Sequence, residues 1–255
     1  ASTRYEIENR LKQFIVDYRK NACDFGNVYP VTERDRATIQ RRAETYIAAT
    51  SRASGMSHLD KNDRAALEVF RGGAELVAVE TEHRADEIAS ALHSDMPWMA
   101  QATEKLWQDM RSSVRRGDPA PRISPLLLVG PPGIGKSHWA RLLGDLMRIP
   151  TTVIEATNEP ASFSVTGSQR GWSNCEPGKP LQTILTHRIA NPIIVIDEIE
   201  KAGNASSTKG HSFNLSEGLL PLIERLTAQS WNCPYYRVKF DMSWITWVMT
   251  ANSLE

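Results

Sequence analysis

Residues 130–137 read Gly-Pro-Pro-Gly-Ile-Gly-Lys-Ser and follow directly on the apolar run Leu126-Leu127-Leu128-Val129. The run predicts a buried strand, the glycines a tight turn, and the lysine the start of a helix. Glycine lets the backbone curl so that successive N–H groups point inward, a concavity suited to phosphate oxygens. A helix starting near Lys136 adds the partial positive charge of its N-terminus. The pattern assigns Pro131, Pro132, Gly133, Ile134, Gly135, Lys136, Ser137 and His138 to a nucleotide cradle. Lys136 is expected to reach the β- and γ-phosphates of ATP, and Ser137 to ligate Mg²⁺. A turn that merely packed a strand on a helix would not call for Gly-Lys-Ser in that order.

Residues 193–198 read Ile-Ile-Val-Ile-Asp-Glu. Four β-branched residues in a row predict a strand buried on both faces, as in a parallel sheet. Two carboxylates at the tip of such a strand are costly unless they have a task. Asp197 suits a magnesium ligand, and Glu198 suits the carboxylate that polarises an attacking water. A third strand, Trp244 to Met249, leads into Thr250-Ala251-Asn252. An amide at a strand end can hold a water or a γ-phosphate without competing for its proton, so Asn252 joins Lys136 and Glu198 as a candidate catalytic residue.

From residue 125 onward strands and helices alternate. Strands are expected near 125–129, 151–155, 192–197 and 244–250, and helices near 136–147, 179–189 and 215–228. This is an α/β reading: a parallel sheet with crossover helices, whose ligand sits at the carboxyl ends of the strands. Residues 1–94 read instead as an all-helical N-terminal region. Ile7, Leu11, Phe14, Ile15 and Tyr18 form one stripe, ended by Asn27-Val28-Tyr29-Pro30. Ile39, Ala43, Tyr46 and Ile47 form the inward side of a second helix. A third pattern covers about 60–92, with a break expected at Gly72-Gly73. Residues 95–116 carry Met99, Leu106, Trp107 and Met110 at helical spacing, before a proline-rich linker at 117–121.

The 255 residues are 41% hydrophobic and 24% charged, with 30 basic and 30 acidic side chains. Zero net charge gives no support to binding nucleic acid through bulk charge. No apolar run reaches the length of a membrane span. The cysteines Cys23, Cys175 and Cys233 are sparse and unpaired in spacing. They argue against a disulfide framework and for a reducing, cytoplasmic setting.

Taken together, Gly130–Ser137, Asp197-Glu198 and Asn252 resemble an AAA+ P-loop ATPase, and within that superfamily the ATPase module of Lon proteases. The Pro-Pro variant of the phosphate loop is typical of Lon. Arg170-Gly-Trp172-Ser-Asn-Cys-Glu-Pro-Gly-Lys179 resembles the Lon pore segment, and Asp197-Glu-Ile-Glu-Lys201 its acidic Walker B ending. Tyr236-Arg-Val-Lys-Phe-Asp241 resembles the hairpin inserted before the last strand. The resemblance covers roughly residues 95–255. It implies ATP hydrolysis, a hexameric ring of identical chains, and unfolded protein as substrate, gripped by Trp172. Lon carries a tyrosine and an aliphatic residue where this chain has Trp172-Ser173. Trp98 and Met99 fall where the family stacks on adenine. The family's fifth strand, arginine finger and lid do not fall within residues 1–255, nor does a protease domain, so the expectation is the front part of a longer protein. A DNA-directed motor and a nucleotide-binding scaffold without turnover are the alternatives.

Overall fold

A computed structural model describes residues 4–22, 31–53, 55–157, 161–171, 175–202, 205–206, 212–213 and 215–253. Cys23, the expected break at Asn27–Pro30, and Trp172 lie outside the described residues. The chain divides into two compact units, Ala1–Asp60 and Lys61–Glu255.

In the first unit α1 (Arg4–Ala22) and α2 (Glu33–Ala53) pack on each other. Ile7, Ile39 and Ala43 are buried, as their stripes predict, whereas Phe14, Tyr18, Tyr46 and Ile47 are exposed. Two helices in contact can cover only one stripe of each, so the outer part of a wide apolar stripe stays in solvent.

The second unit opens with α3 (Lys61–Leu67) and a 3₁₀ turn (Glu68–Gly72). The expected break at Gly72-Gly73 is present: Gly73 has φ 83°, and the chain then runs extended to Glu80. Here Glu75 pairs in parallel with Ile189. The Asn191 side chain brackets Val77, accepting from its N–H and donating to its C=O, each at 3.0 Å. Next come α4 (Glu82–Asp95), a 3₁₀ turn (Pro97–Met99) and α5 (Ala100–Arg116). Val79, Ala85, Ile88 and Leu92 share one core with Leu106, Met110, Trp139 and Val195. This corrects the expected boundary at 94/95, since residues 61–94 belong to the same body as the sheet. The N-terminal region is helical as expected, with a non-helical segment at 73–80 between its helices. The periodicity of residues 60–92 carried no information on which body would cover their apolar side.

The remaining elements follow in the expected alternation: β1 (Leu126–Val129), α6 (Lys136–Met147), β2 (Thr151–Glu155), α7 (Ala161–Thr166), α8 (Lys179–His187) and β3 (Ile193–Asp197). A short ladder joins β4 (Ala205–Ser206) to β5 (Ser212–Phe213). Then come α9 (Leu215–Ile223), α10 (Arg225–Ala228), the hairpin of β6 (Trp231–Asn232) with β7 (Lys239–Phe240), and β8 (Thr246–Ala251). Among the described residues the main sheet has four parallel strands in the order β1-β8-β3-β2. The last strand in sequence therefore inserts between the first and third. Ile193 to Ile196 are fully buried, as four β-branched residues on a two-sided strand require. β1 departs from the reading of a fully buried strand. Leu126 and Leu128 face the core, while Leu127 and Val129 are 46% and 43% exposed. Among the described residues no helix is long and apolar enough to cross a membrane.

Thr81 caps α4, its hydroxyl accepting from the Arg84 N–H at 3.1 Å. Glu82 in the first turn ties α4 to α5 through Arg115 at 3.0 Å and through Arg111. The Arg115 and Arg111 guanidiniums hold the Glu82 carboxyl down at about 2, against 4.5 unperturbed. A depressed carboxylate stabilises the fold fully above its unfolded pKa, and the contribution fades as pH falls toward the folded value. Glu82→Gln is therefore expected to lower the melting temperature modestly at pH 7, because the group is exposed. The gap between the two proteins should narrow as pH drops from about 4.5 toward about 2. Thermal melts across that range check this; a gap independent of pH would contradict it.

Candidate functional site

Val129, Ala251 and Asp197 end three adjacent strands, and the site is built just beyond them. The Gly130 N–H donates to the Ala251 carbonyl at 3.1 Å, which extends the β1–β8 pairing one residue into the loop. The loop then turns through Gly133 and Gly135, at φ 82° and 90°. Those values lie in the left-handed region that favours glycine. A Cβ on Gly135 would also stand 2.6 Å from the Met96 Cε. The chain enters α6 at Lys136 with no side chain capping it, so the first-turn N–H groups face the loop's mouth without a capping acceptor.

Lys136 is only 8% exposed. Its ammonium donates to the carbonyls of Gly130 (2.6 Å) and Pro131 (3.1 Å) and to Asn252 Oδ1 (3.1 Å). These are neutral acceptors, and no carboxylate is among them. The Ser137 hydroxyl donates to Asp197 Oδ1 at 3.0 Å. The Thr250 hydroxyl donates to the same Asp197 oxygen, and accepts from the Glu198 N–H at 3.1 Å. Glu198 itself has φ 55°. A left-handed conformation in a residue with a side chain is uncommon and costs strain, and such strain clusters at functional sites.

The Asn252 amide joins the two halves of the site. Its Oδ1 accepts from Lys136, and its Nδ2 donates to Glu198 Oε1 at 3.2 Å. Its backbone N–H donates to Glu200 Oε1 at 3.0 Å, which fixes the strand end. Lys201 donates to Glu198 Oε1 at 2.7 Å. Lys201 above all holds the Glu198 carboxyl below its ordinary range; burial opposes it, and the Asn252 donor adds a smaller lowering effect. Glu198 is thus ionised at neutral pH, and the bonds from Lys201 and Asn252 both fall on Oε1, leaving Oε2 to accept from a water.

The structure brings Lys136, Ser137, Asp197, Glu198 and Asn252 together. Pro131, Pro132 and Gly133 lie exposed on the loop. His138 is exposed as the third residue of α6, 3.6 Å from Asp95. Trp98 donates its indole N–H to the Ile134 carbonyl at 2.8 Å and is 63% exposed, so an aromatic face borders the loop. Met99 does not join it. Met99 is buried in the core shared with Leu106 and Trp139, because the 3₁₀ turn advances about 120° per residue and so sends neighbouring side chains in different directions. That removes Met99 from the expected adenine contacts. Thr250, Glu200 and Lys201 are site residues the sequence reading missed. Thr250 stands in the strand whose end carries Asn252, two residues before it, which was the readable signal for the first of them.

Ser137 Oγ and Asp197 Oδ1 supply a hydroxyl and a carboxylate oxygen side by side at the mouth of the loop. Hard oxygen donors of this kind fit Mg²⁺, which takes one or two protein ligands and fills its shell with phosphate and water.

Residues 126–255 match the family described as "ATPase family associated with various cellular activities (AAA)". The chain is 28% identical over 173 residues to the "Lon protease homolog, mitochondrial" of Zea mays, covering 68% of this chain and 17% of that protein. It is 30% identical over 130 residues to the "Lon protease" of Magnetococcus marinus, covering 51% of this chain and 16% of the relative. The "Lon protease 2" of Hydrogenovibrio crunogenus is 31% identical over 130 residues, 51% of this chain and 14% of the relative. The chain thus spans about one sixth of the curated relatives it matches. The family match begins at the first residue of β1 and takes in the phosphate loop, Asp197, Glu198 and Asn252; this chain belongs to the AAA family of ATPases and stands near the Lon proteases within it.

Proposed function

We propose that this chain binds ATP at Gly130–Ser137 and hydrolyses it, as the motor module of a larger protein. The observation that carries the reading is the hydrogen-bonded series Lys136–Asn252–Glu198 beside Ser137–Asp197–Thr250, at the carboxyl ends of adjacent parallel strands. Phosphoryl transfer needs positioning and charge neutralisation more than covalent chemistry. The loop N–H groups and the start of α6 would hold the phosphate chain. Lys136 would exchange its carbonyl acceptors for β- and γ-phosphate oxygens, a charge-assisted contact. Glu198 would accept a proton from water through Oε2, while Asn252 fixes the direction of attack. Ser137 and Asp197 would hold Mg²⁺, which when bound neutralises charge developing on the phosphates. The exposed ring of Trp98 would pack on the adenine.

The Lon proteases among the relatives suggest a protein substrate. We place Trp172 at a channel where several copies of the chain converge as a ring. A single loop cannot hold a moving polymer, whereas copies around an axis can. ATP would be spent there on unfolding and translocating protein. The zero net charge gives no parallel support for a DNA track, and a cytoplasmic setting accords with three sparse cysteines.

Lys136→Ala should weaken ATP binding by about one to two orders of magnitude, the scale of one charge-assisted contact. Glu198→Gln should leave binding intact and abolish turnover in the full-length protein. Calorimetry and steady-state phosphate release separate the two; native turnover by the Gln variant would move the water-orienting role to another residue.

Thr250→Val keeps the side-chain shape and removes the bonds to Asp197 and to the Glu198 N–H. The expected result is a loss in kcat of about tenfold or more with a modestly lowered melting temperature, since each hydrogen bond removed at a charged group costs about 1.5–3 kcal/mol. A variant turning over normally would reduce Thr250 to packing.

Trp172→Ala in the full-length protein should preserve basal ATPase and lose unfolding of a folded test substrate. Unfolding at the native rate would remove Trp172 from the channel.

A further inference from the structure

A second cavity, of about 550 Å³, opens at the opposite end of β1 and β8 from the phosphate loop. It is bounded by Ser124-Pro125 ahead of β1, Ser243-Trp244-Ile245 ahead of β8, the end of α5, and the α9–α10 turn. The two strands separate it from the nucleotide loop by about 13–20 Å at 3.3 Å per residue. Its volume lies in the range of small-molecule sites, roughly 300–1,000 Å³.

Three arginines line it: Arg116, Arg122 and Arg225. Arg122 is the unusual one. Its guanidinium lies 3.5 Å from the centroid of the Trp244 ring. Its Nε and Nη1 are buried with no hydrogen-bond partner. Asp118 stands 3.6 Å away, an ion pair without hydrogen-bond geometry, and is already engaged by Arg116 at 2.8 Å. Arg225, exposed on α10, makes no ion pair among the described residues, and its charge opposes that of Arg122. Trp247, a further wall residue, has a buried indole N–H that also lacks a partner.

The carboxylates nearby are committed. Asp109 accepts from Lys105 and from the Ser124 N–H, and Asp241 accepts from the Ser243 N–H and hydroxyl. Unpaired buried donors cost about 1–3 kcal/mol each, and a second guanidinium facing the same cavity adds repulsion that Asp118 at 3.6 Å offsets only in part. Such an arrangement is relieved by an anion. The remaining walls, Ile123, Leu222, Ile223 and the two indoles, are apolar or aromatic.

We propose that this cavity is a binding site, separate from the nucleotide loop, for a small organic anion. The ligand carries a phosphate or carboxylate group on an apolar body. The oxyanion meets Arg122 and Arg225, and the body lies against Trp244 and Ile245. A modest rotation of the Arg122 side chain turns its unpartnered N–H groups to the ligand while keeping the indole contact.

Calorimetry on the 255-residue chain with phenyl phosphate, phenylacetate, inorganic phosphate and benzyl alcohol tests this. Phenylacetate should saturate at a single site on the native chain and on Lys136→Ala alike, and phenyl phosphate at a single site on Lys136→Ala. Benzyl alcohol should not saturate, and inorganic phosphate should bind more weakly to Lys136→Ala than phenyl phosphate does. The two aryl anions distinguish a phosphate from a carboxylate ligand by which binds tighter. Arg225→Ala, on an exposed side chain, should weaken the preferred anion by about tenfold, and Arg122→Gln should weaken it further. If Arg122→Gln fails to fold, the Arg225 variant decides. Failure of both aryl anions to saturate overturns the proposal. So does equal binding by benzyl alcohol, loss of binding in Lys136→Ala, or native affinity in Arg225→Ala.

Discussion

Asp197 is a carboxylate at the end of a strand whose four preceding residues are fully buried. Leaving such a charge unpaired would cost several kcal/mol, and the local arrangement answers that demand. The Ser137 hydroxyl approaches from the helix behind the phosphate loop, and the Thr250 hydroxyl from the neighbouring strand. Thr250 can do so because β8 inserts between β1 and β3. That crossover puts three strand ends abreast, each contributing a different chemical part. The loop follows the first, the amide follows the second, and the acidic pair ends the third. A sheet in sequence order would have separated them.

Lys136 and Glu198 are opposite charges in one site that do not touch. Asn252 stands between them, accepting from one and donating to the other. A direct ion pair would neutralise both groups and remove the cation from phosphate. The amide instead keeps each oriented at little electrostatic cost. Lys201 supplies the counter-charge that Glu198 needs from outside the phosphate side of the site. Glu198 is held ionised while Lys136 has only carbonyl and amide oxygens, which a phosphate can displace.

The α/β half of the chain was legible because its signals are local. β-branched runs marked the strands of the sheet, and Gly-Lys-Ser marked the junction of β1 and α6; the structure places β2, β3 and α6 within a residue of the expected limits. The helical half was harder. α4 packs on α5, the next helix in sequence, and on α6 beyond the first strand, and nothing in the periodicity of one helix names its partners. Tyr46 and Ile47 show the converse, since an apolar stripe on α2 was wider than the single helix packed against it. Met99 was misassigned because family position fixed its neighbourhood but not its direction, which a 3₁₀ turn decides residue by residue. Thr250 escaped because its role depends on strand order, and order is a tertiary fact.

The two ends of β1 and β8 can be compared on physical grounds. At one end a buried lysine rests on neutral carbonyl and amide oxygens. At the other a largely buried arginine rests on an indole face with two N–H groups unsatisfied. In both places a cation has been taken out of water without a hydrogen-bonded carboxylate beside it. Stability alone does not favour that choice, because pairing or an apolar replacement costs less. For Lys136 the resolution is a phosphate that arrives with the nucleotide. The same argument carries to Arg122 with greater force, because its donors lack even neutral acceptors, and a second guanidinium raises the cost of leaving the cavity without an anion.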